Sequence, residues 1–163
     1  MIRKDGKHVL FKDYFGSHVV RPPASNTLVP TVKLVKTGIT LKPGAGWADK
    51  ITELTNDDGY RRLIAAAALA QMQKGHQVLI IADRVDFLRG VSEYVGEDCV
   101  LVTGETDLAQ RQRAKEQLLS GEKTCIAGSR QIFSEGISIN SLSCVILAVP
   151  ISNDSLLEQI IGR

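Results

Sequence analysis

Val78-Leu79-Ile80-Ile81-Ala82, followed by Asp83-Arg84, is the run that decides the fold. Five apolar residues in succession leave no face for water, which is the pattern of a parallel strand covered by helices on both sides. Working downstream, Arg84 to Tyr94 opens a stretch in which Val85, Leu88, Val91 and Val95 recur at helical spacing. Cys99 to Thr103 reads as a second strand, and Thr106 to Ser120 as a second helix closed by Gly121. Thr124 to Ala127 is a third strand, Ser143 to Val149 a fourth, and a helix runs from about Asn153 to the chain end. Strands and helices alternating through short links predict a parallel α/β sheet. Ligands of such sheets gather at the carboxyl ends of the strands. Those ends fall here at Asp83 and Arg84, Thr103 to Glu105, Gly128 to Arg130, and Pro150 to Asn153.

Upstream the pattern is less regular. Asn56 to Lys74 predicts a helix, with Asp57 or Asp58 as its cap, Leu63, Ile64, Ala67, Ala68 and Met72 at helical spacing, and Gly75 as its stop. Its alanines predict close packing against a neighbour. Trp47 to Leu54 predicts a shorter helix, and the alternation in Thr31 to Leu41 predicts a strand. Residues 7 to 15 predict a short helix stopped by Gly16, before the prolines at 22, 23 and 30.

Bulk properties bound what this chain does. With 163 residues, 44% hydrophobic and 23% charged, it is long enough for one domain with a buried core, and unlike a disordered tail. A formal net charge of only +2 means that any nucleic-acid role needs basic residues gathered on one face. Cys99, Cys125 and Cys144 each sit in an apolar run, as reduced buried thiols do, and no Cys or His spacing predicts a metal site. The polar N-terminus is unlike a signal peptide, and the apolar runs are shorter than a membrane span, so the expected location is cytoplasmic with no membrane partner.

Four local strings narrow the fold class. Val78 to Arg84 with Phe87-Leu88 resembles motif IV of superfamily 2 helicases. Thr103-Gly104-Glu105-Thr106, then Gln110-Arg111-Gln112-Arg113 and Leu118-Leu119-Ser120-Gly121, resembles the next block of that family. Ser129 through Phe133-Ser134-Glu135-Gly136-Ile137-Ser138 resembles motif V, and Gln159-Ile160-Ile161-Gly162-Arg163 the first five positions of the QxxGRxxR form of motif VI. Each string alone is weak, whereas their order along one sheet is specific. Ile2-Arg3-Lys4-Asp5-Gly6 and Tyr14-Phe15-Gly16 resemble the segment after motif III, so the resemblance spans nearly the whole chain. It is nearest to phage-type recombination and repair helicases.

The resemblance implies a RecA-like three-layer α/β domain with a mostly parallel sheet, the P-loop NTPase fold in its second helicase copy. Residues 1–30 would be a connecting segment, and 31–163 the domain itself, stopping inside motif VI. ATP with Mg²⁺ would be held mainly by a first RecA-like domain, the partner that this sequence does not contain. No GxxxxGK(S/T) string and no acidic box occurs here, so the chain alone is expected not to hydrolyse ATP. Arg163 is implied as the arginine that reaches across to the γ-phosphate, with Gly136, Gln159 and Gly162 beside the nucleotide. Arg84, Thr103, Gly104, Ser129 and Arg130 are implied as contacts to the backbone of single-stranded or branched DNA, with RNA an open alternative. Ser138 stands where many members carry an acid, which puts a direct ribose contact in doubt.

Plainer readings stand beside these. Thr103 and Ser129 are equally good turn or helix caps, and Arg84 a solvated first-turn residue. Arg111, Arg113 and Lys115 read as a solvated helix face, and Trp47 as a core or interdomain side chain rather than a base-stacking one. His8, His18 and His76 lack partners in the sequence reading. A different class altogether, a non-catalytic α/β binding module, would need neither a P-loop upstream nor a completed motif VI downstream. A duplex translocase that separates no strands would share every motif.

Overall fold

The computed structural model describes residues 30–44, 46–129, 139 and 141–150. The chain divides into two units, Met1–Leu34 and Val35–Arg163. Every element described below belongs to the second unit. They are α1 (Trp47–Asn56), α2 (Asp58–Met72), β1 (Val78–Ala82), α3 (Val85–Val95), β2 (Cys99–Val102), α4 (Leu108–Leu119), β3 (Cys125–Ser129) and β4 (Cys144–Leu147).

Among the described residues the strands form one four-stranded sheet in the order β2-β3-β1-β4, with every pairing parallel. The chain steps from β1 over β3 to β2, then back to β3. Parallel crossovers share one hand, so this reversal puts the two crossover helices on opposite faces. The core confirms it. Val78, Ile80 and Ala82 point into a cluster with Tyr60, Ile64, Ala68, Phe87, Leu88 and Val91, contributed by α2 and α3. Leu79 and Ile81 point the other way, into a cluster with Val102, Ala114, Leu118 and Ile126 on the α4 side. All five residues of β1 are buried, as the unbroken apolar run predicts. The fold is a three-layer α/β domain.

Local chemistry sets the helix ends. Asp57 caps α2, its carboxylate accepting the Tyr60 N–H at 2.6 Å, and Gly75 adopts a φ of +84° just past the helix end. Asp107 caps α4 in a reciprocal box: its carboxylate accepts the Gln110 N–H at 2.7 Å, while Gln110 Oε1 accepts the Asp107 N–H at 3.2 Å. The helix therefore starts two residues later than expected, because Thr106 spends its hydroxyl on the preceding turn. The α2–α3 pair is fastened twice. Tyr60 and Phe87 stack with ring centroids 5.5 Å apart in the core, and the Tyr94 hydroxyl donates to Asp58 Oδ1 at 2.6 Å on the surface. Arg62 completes the surface fastening, with its Nε 2.8 Å from Asp58 Oδ2 and its guanidinium 5.1 Å from the Tyr94 ring centre.

Several expectations change. Residues 31–41 form no strand: Gly38 has a φ of +70°, and the Thr37 hydroxyl takes the Ile39 N–H at 3.3 Å, a local bond that competes with a ladder. Trp47 is the first residue of α1 and stays 66% exposed, so it is no part of this domain's core. His76 does have a partner, since its Nδ1 lies 3.0 Å from Ser143 Oγ across 67 residues of sequence. The three thiols are free. Cys125 is buried, and Cys99 and Cys144 are half-buried. Cys99 and Cys125 are register partners, and a hydrogen bond between them lowers the Cys99 thiol and, together with burial, pushes Cys125 up. The helices expected over 7–15 and from Asn153 lie outside the described residues.

Two outcomes test this packing. The buried Tyr60 hydroxyl donates to the Ala148 carbonyl at 2.7 Å, tying α2 to the end of β4. Tyr60→Phe leaves that carbonyl unpaired and is expected to cost about 1–2 kcal/mol in urea unfolding. At the surface, the Tyr94 hydrogen bond, and after it Arg62, hold the Asp58 carboxyl below its ordinary value of 3.8. A carboxylate depressed in the folded state stabilises above its unfolded value and loses that contribution as pH falls through the folded one. Tyr94→Phe is therefore expected to be less stable than wild type near neutral pH, with the gap closing well below pH 3.8.

Candidate nucleic-acid interface

Because all four strands run the same way, their carboxyl ends share one rim. The register pairs Val102 with Gly128, and Ala82 with Ser129. One step beyond β2, Thr103 therefore comes level with Ser129, and Asp83-Arg84 follows directly from Ala82. The sheet thus brings Thr103-Gly104, Ser129 and Arg84 to one edge of the domain. Arg130, Gly136, Gln159, Gly162 and Arg163 lie outside the described residues.

Arg84 is the N-cap residue of α3, with extended backbone and no side-chain cap bond. Its exposed guanidinium donates to the Thr52 hydroxyl of α1 at 3.4 Å, a long hydrogen bond. Thr52 is a neutral partner, so this bond leaves the charge of the exposed guanidinium uncancelled at the rim. Such a residue is suited to an anion.

The loop between β2 and α4 is closed on itself. Thr106 Oγ1 accepts the Thr103 N–H at 2.8 Å, Thr103 Oγ1 accepts the Glu105 N–H at 3.3 Å, and the Thr103 carbonyl accepts the Thr106 N–H at 3.1 Å. Thr103 is buried, its hydroxyl engaged as a turn group, whereas Gly104 is exposed with nothing within 4 Å of where a Cβ would stand. The part of this loop open to a ligand is therefore Gly104. Ser129 ends β3, half-buried.

Arg111 does not lie where its spacing predicts. Rather than lying on a solvated face, its guanidinium turns back under the loop, with Nε donating to the Thr106 carbonyl at 2.8 Å and an Nη to the Gly104 carbonyl at 3.4 Å. Arg113, two residues on, is exposed as expected. Periodicity could not separate the two, because both lie in a polar helix; the nearby turn residues were the only signal.

A parallel sheet wrapped on both faces, with this rim of glycine, hydroxyl and arginine, defines a RecA-like α/β domain. Residues 60–163 match the family described as Helicase conserved C-terminal domain, and the chain belongs to that family. It is 36% identical over 166 residues to the "Probable helicase D10" of Escherichia phage T5, a match covering 99% of this chain and 37% of that protein. It is 25% identical over 123 residues to the "ATP-dependent DNA helicase uvsW" of Enterobacteria phage T4, covering 74% of this chain and 24% of the relative. The chain thus spans well under half the length of either relative. The crystal structure of T4 UvsW superposes with a TM-score of 0.66 at 23% identity, over 73% of this chain and 25% of that one, which supports the fold.

Gly104 offers a clean variant. Its backbone is not left-handed and its Cβ position is open. Gly104→Ala is expected to leave thermal stability unchanged or raise it by up to about 1 kcal/mol, since it restricts only the unfolded chain. A loss of stability would show that the loop differs from this description.

Proposed function

We propose that this chain is the second RecA-like half of an ATP-dependent superfamily 2 DNA motor, acting in recombination or repair. The observation that bears most weight is the juxtaposition of Arg84, Gly104 and Ser129 on one rim of a domain of the helicase C-terminal family. Contacts of this kind hold phosphates, so binding would be independent of sequence and weakened by salt. Single-stranded or branched DNA is the intended partner, with RNA the alternative to be tested beside it.

ATP would sit between this domain and a first RecA-like domain, with residues 1–30 as the connection. Mg²⁺ would belong to the other domain. That domain would also supply the phosphate-binding loop. From this side, Gly136, Gln159 and Gly162 would approach the nucleotide, and Arg163 would stabilise charge on the transferring phosphoryl group. No described helix is long and apolar enough to cross a membrane.

The test compares the complete protein that carries this chain with the chain alone. The complete protein is expected to hydrolyse ATP when DNA is added, and the chain alone not to. Arg163→Ala in the complete protein is expected to lower kcat by about a thousandfold while DNA affinity holds. Hydrolysis by the chain alone, or a complete protein indifferent to nucleic acid, would favour a different function, the second outcome pointing to a plain binding module.

A further inference from the structure

The β2–α4 loop holds all but one of its amides in internal hydrogen bonds. The N–H groups of Thr103, Glu105, Thr106 and Asp107 are each accepted within the loop or by the α4 cap. Among the described residues nothing accepts the Gly104 N–H. A peptide plane sets its carbonyl and its N–H in opposite directions. The Thr103 carbonyl is turned inward onto the Thr106 N–H at 3.1 Å, so the Gly104 N–H on the same plane is turned outward. The next planes are fixed in the same way. Arg111 takes the Gly104 carbonyl while Thr103 Oγ1 takes the Glu105 N–H, and Arg111 takes the Thr106 carbonyl while Gln110 takes the Asp107 N–H.

One half-buried arginine therefore donates to the two carbonyls that bracket the turn, and among the described residues no other side chain does so. A lysine at that position could place a charge there but could not span both carbonyls with a fixed planar fork. We infer that Arg111 is a positioning residue, which locks the β2–α4 loop so that the Gly104 amide faces a phosphate of the bound nucleic-acid strand. The inference rests on the nucleic-acid reading above. It adds a residue that acts through the loop rather than by touching the ligand. The flanking Glu105 and Asp107 are acidic and exposed, so the loop's own exposed side chains work against a phosphate there rather than for it. Shape has to supply the contact.

The experiment measures binding of a fluorescent single-stranded oligonucleotide to the chain and to Arg111→Ala, Arg111→Lys, Arg113→Ala and Gly104→Ala. Amide hydrogen exchange at Glu105 and Asp107 is followed in parallel. Arg111→Ala and Arg111→Lys are both expected to weaken binding by about tenfold, the scale of one hydrogen bond to a charged group. Both are also expected to speed exchange in the loop while exchange in β1 and β3 stays as in wild type. Gly104→Ala is expected to weaken binding without altering exchange, and Arg113→Ala, which removes the same charge, to leave both unchanged. If Arg111→Lys binds like wild type, or Arg113→Ala weakens binding as much as Arg111→Ala, charge alone is at work and the inference fails. If the Arg111 variants bind normally with a loosened loop, it fails as well. No binding by the unaltered chain to DNA or RNA would overturn the nucleic-acid reading itself, and the inference with it.

Discussion

Burial of β1 on both faces is the constraint from which the rest of the domain follows. A strand with no polar face needs a covering layer on each side, and its alternate residues are the ones that meet the two core clusters. Ile80 and Ile81 are wholly buried in opposite directions. Each contributes about 1.5–3 kcal/mol from apolar area withdrawn from water, so neither layer can be peeled away cheaply. The right-handed crossover then dictates which helix covers which face. Once β1 is flanked by β3 and β4, the carboxyl ends of the strands cannot help but lie along one edge.

That edge is where backbone geometry becomes chemistry. The strands end in residues that no longer have ladder partners, and the loops that follow must satisfy their own peptide groups. The β2–α4 loop does this with two threonines, a capping box and one arginine. The closure is so complete that one amide is left over. The motor proposed above would need contacts that are defined in shape and individually weak, and a single outward amide on the same rim as the exposed Arg84 has that character. The nucleotide side of the domain would then be coupled to this edge through the same sheet, since motif V begins where β3 ends at Ser129.

Much of this was legible from residue order, for physical reasons. The apolar run of β1 and the Gly75 stop are set by neighbours in sequence and lie as read, and of the two cap candidates, Asp57 and Asp58, the helix uses Asp57. Failures came where partners are distant or where local bonds compete. Thr31 to Leu41 alternates like a strand, yet Thr37 and Gly38 commit its middle to a local turn. Thr106 reads as helical by sequence because its hydroxyl's partner, the Thr103 N–H, comes within reach only once the turn is closed. His76 meets Ser143 only because β1 and β4 are neighbours. Arg111 looks, by spacing, like any solvated arginine on a polar helix, and its role depends on a carbonyl seven residues back. Trp47, expected in a core or between domains, stands at the first residue of α1 and stays exposed, which removes only the core reading.

The central claim is that the carboxyl rim of this sheet is the nucleic-acid face. The most direct test is to follow backbone amide chemical shifts while a short single-stranded oligonucleotide is added. The account predicts that the changes cluster at Arg84, Gly104 and Ser129 and fade as salt is raised. Changes centred instead on the opposite rim, around His76, Lys123 and Ser143, would contradict it.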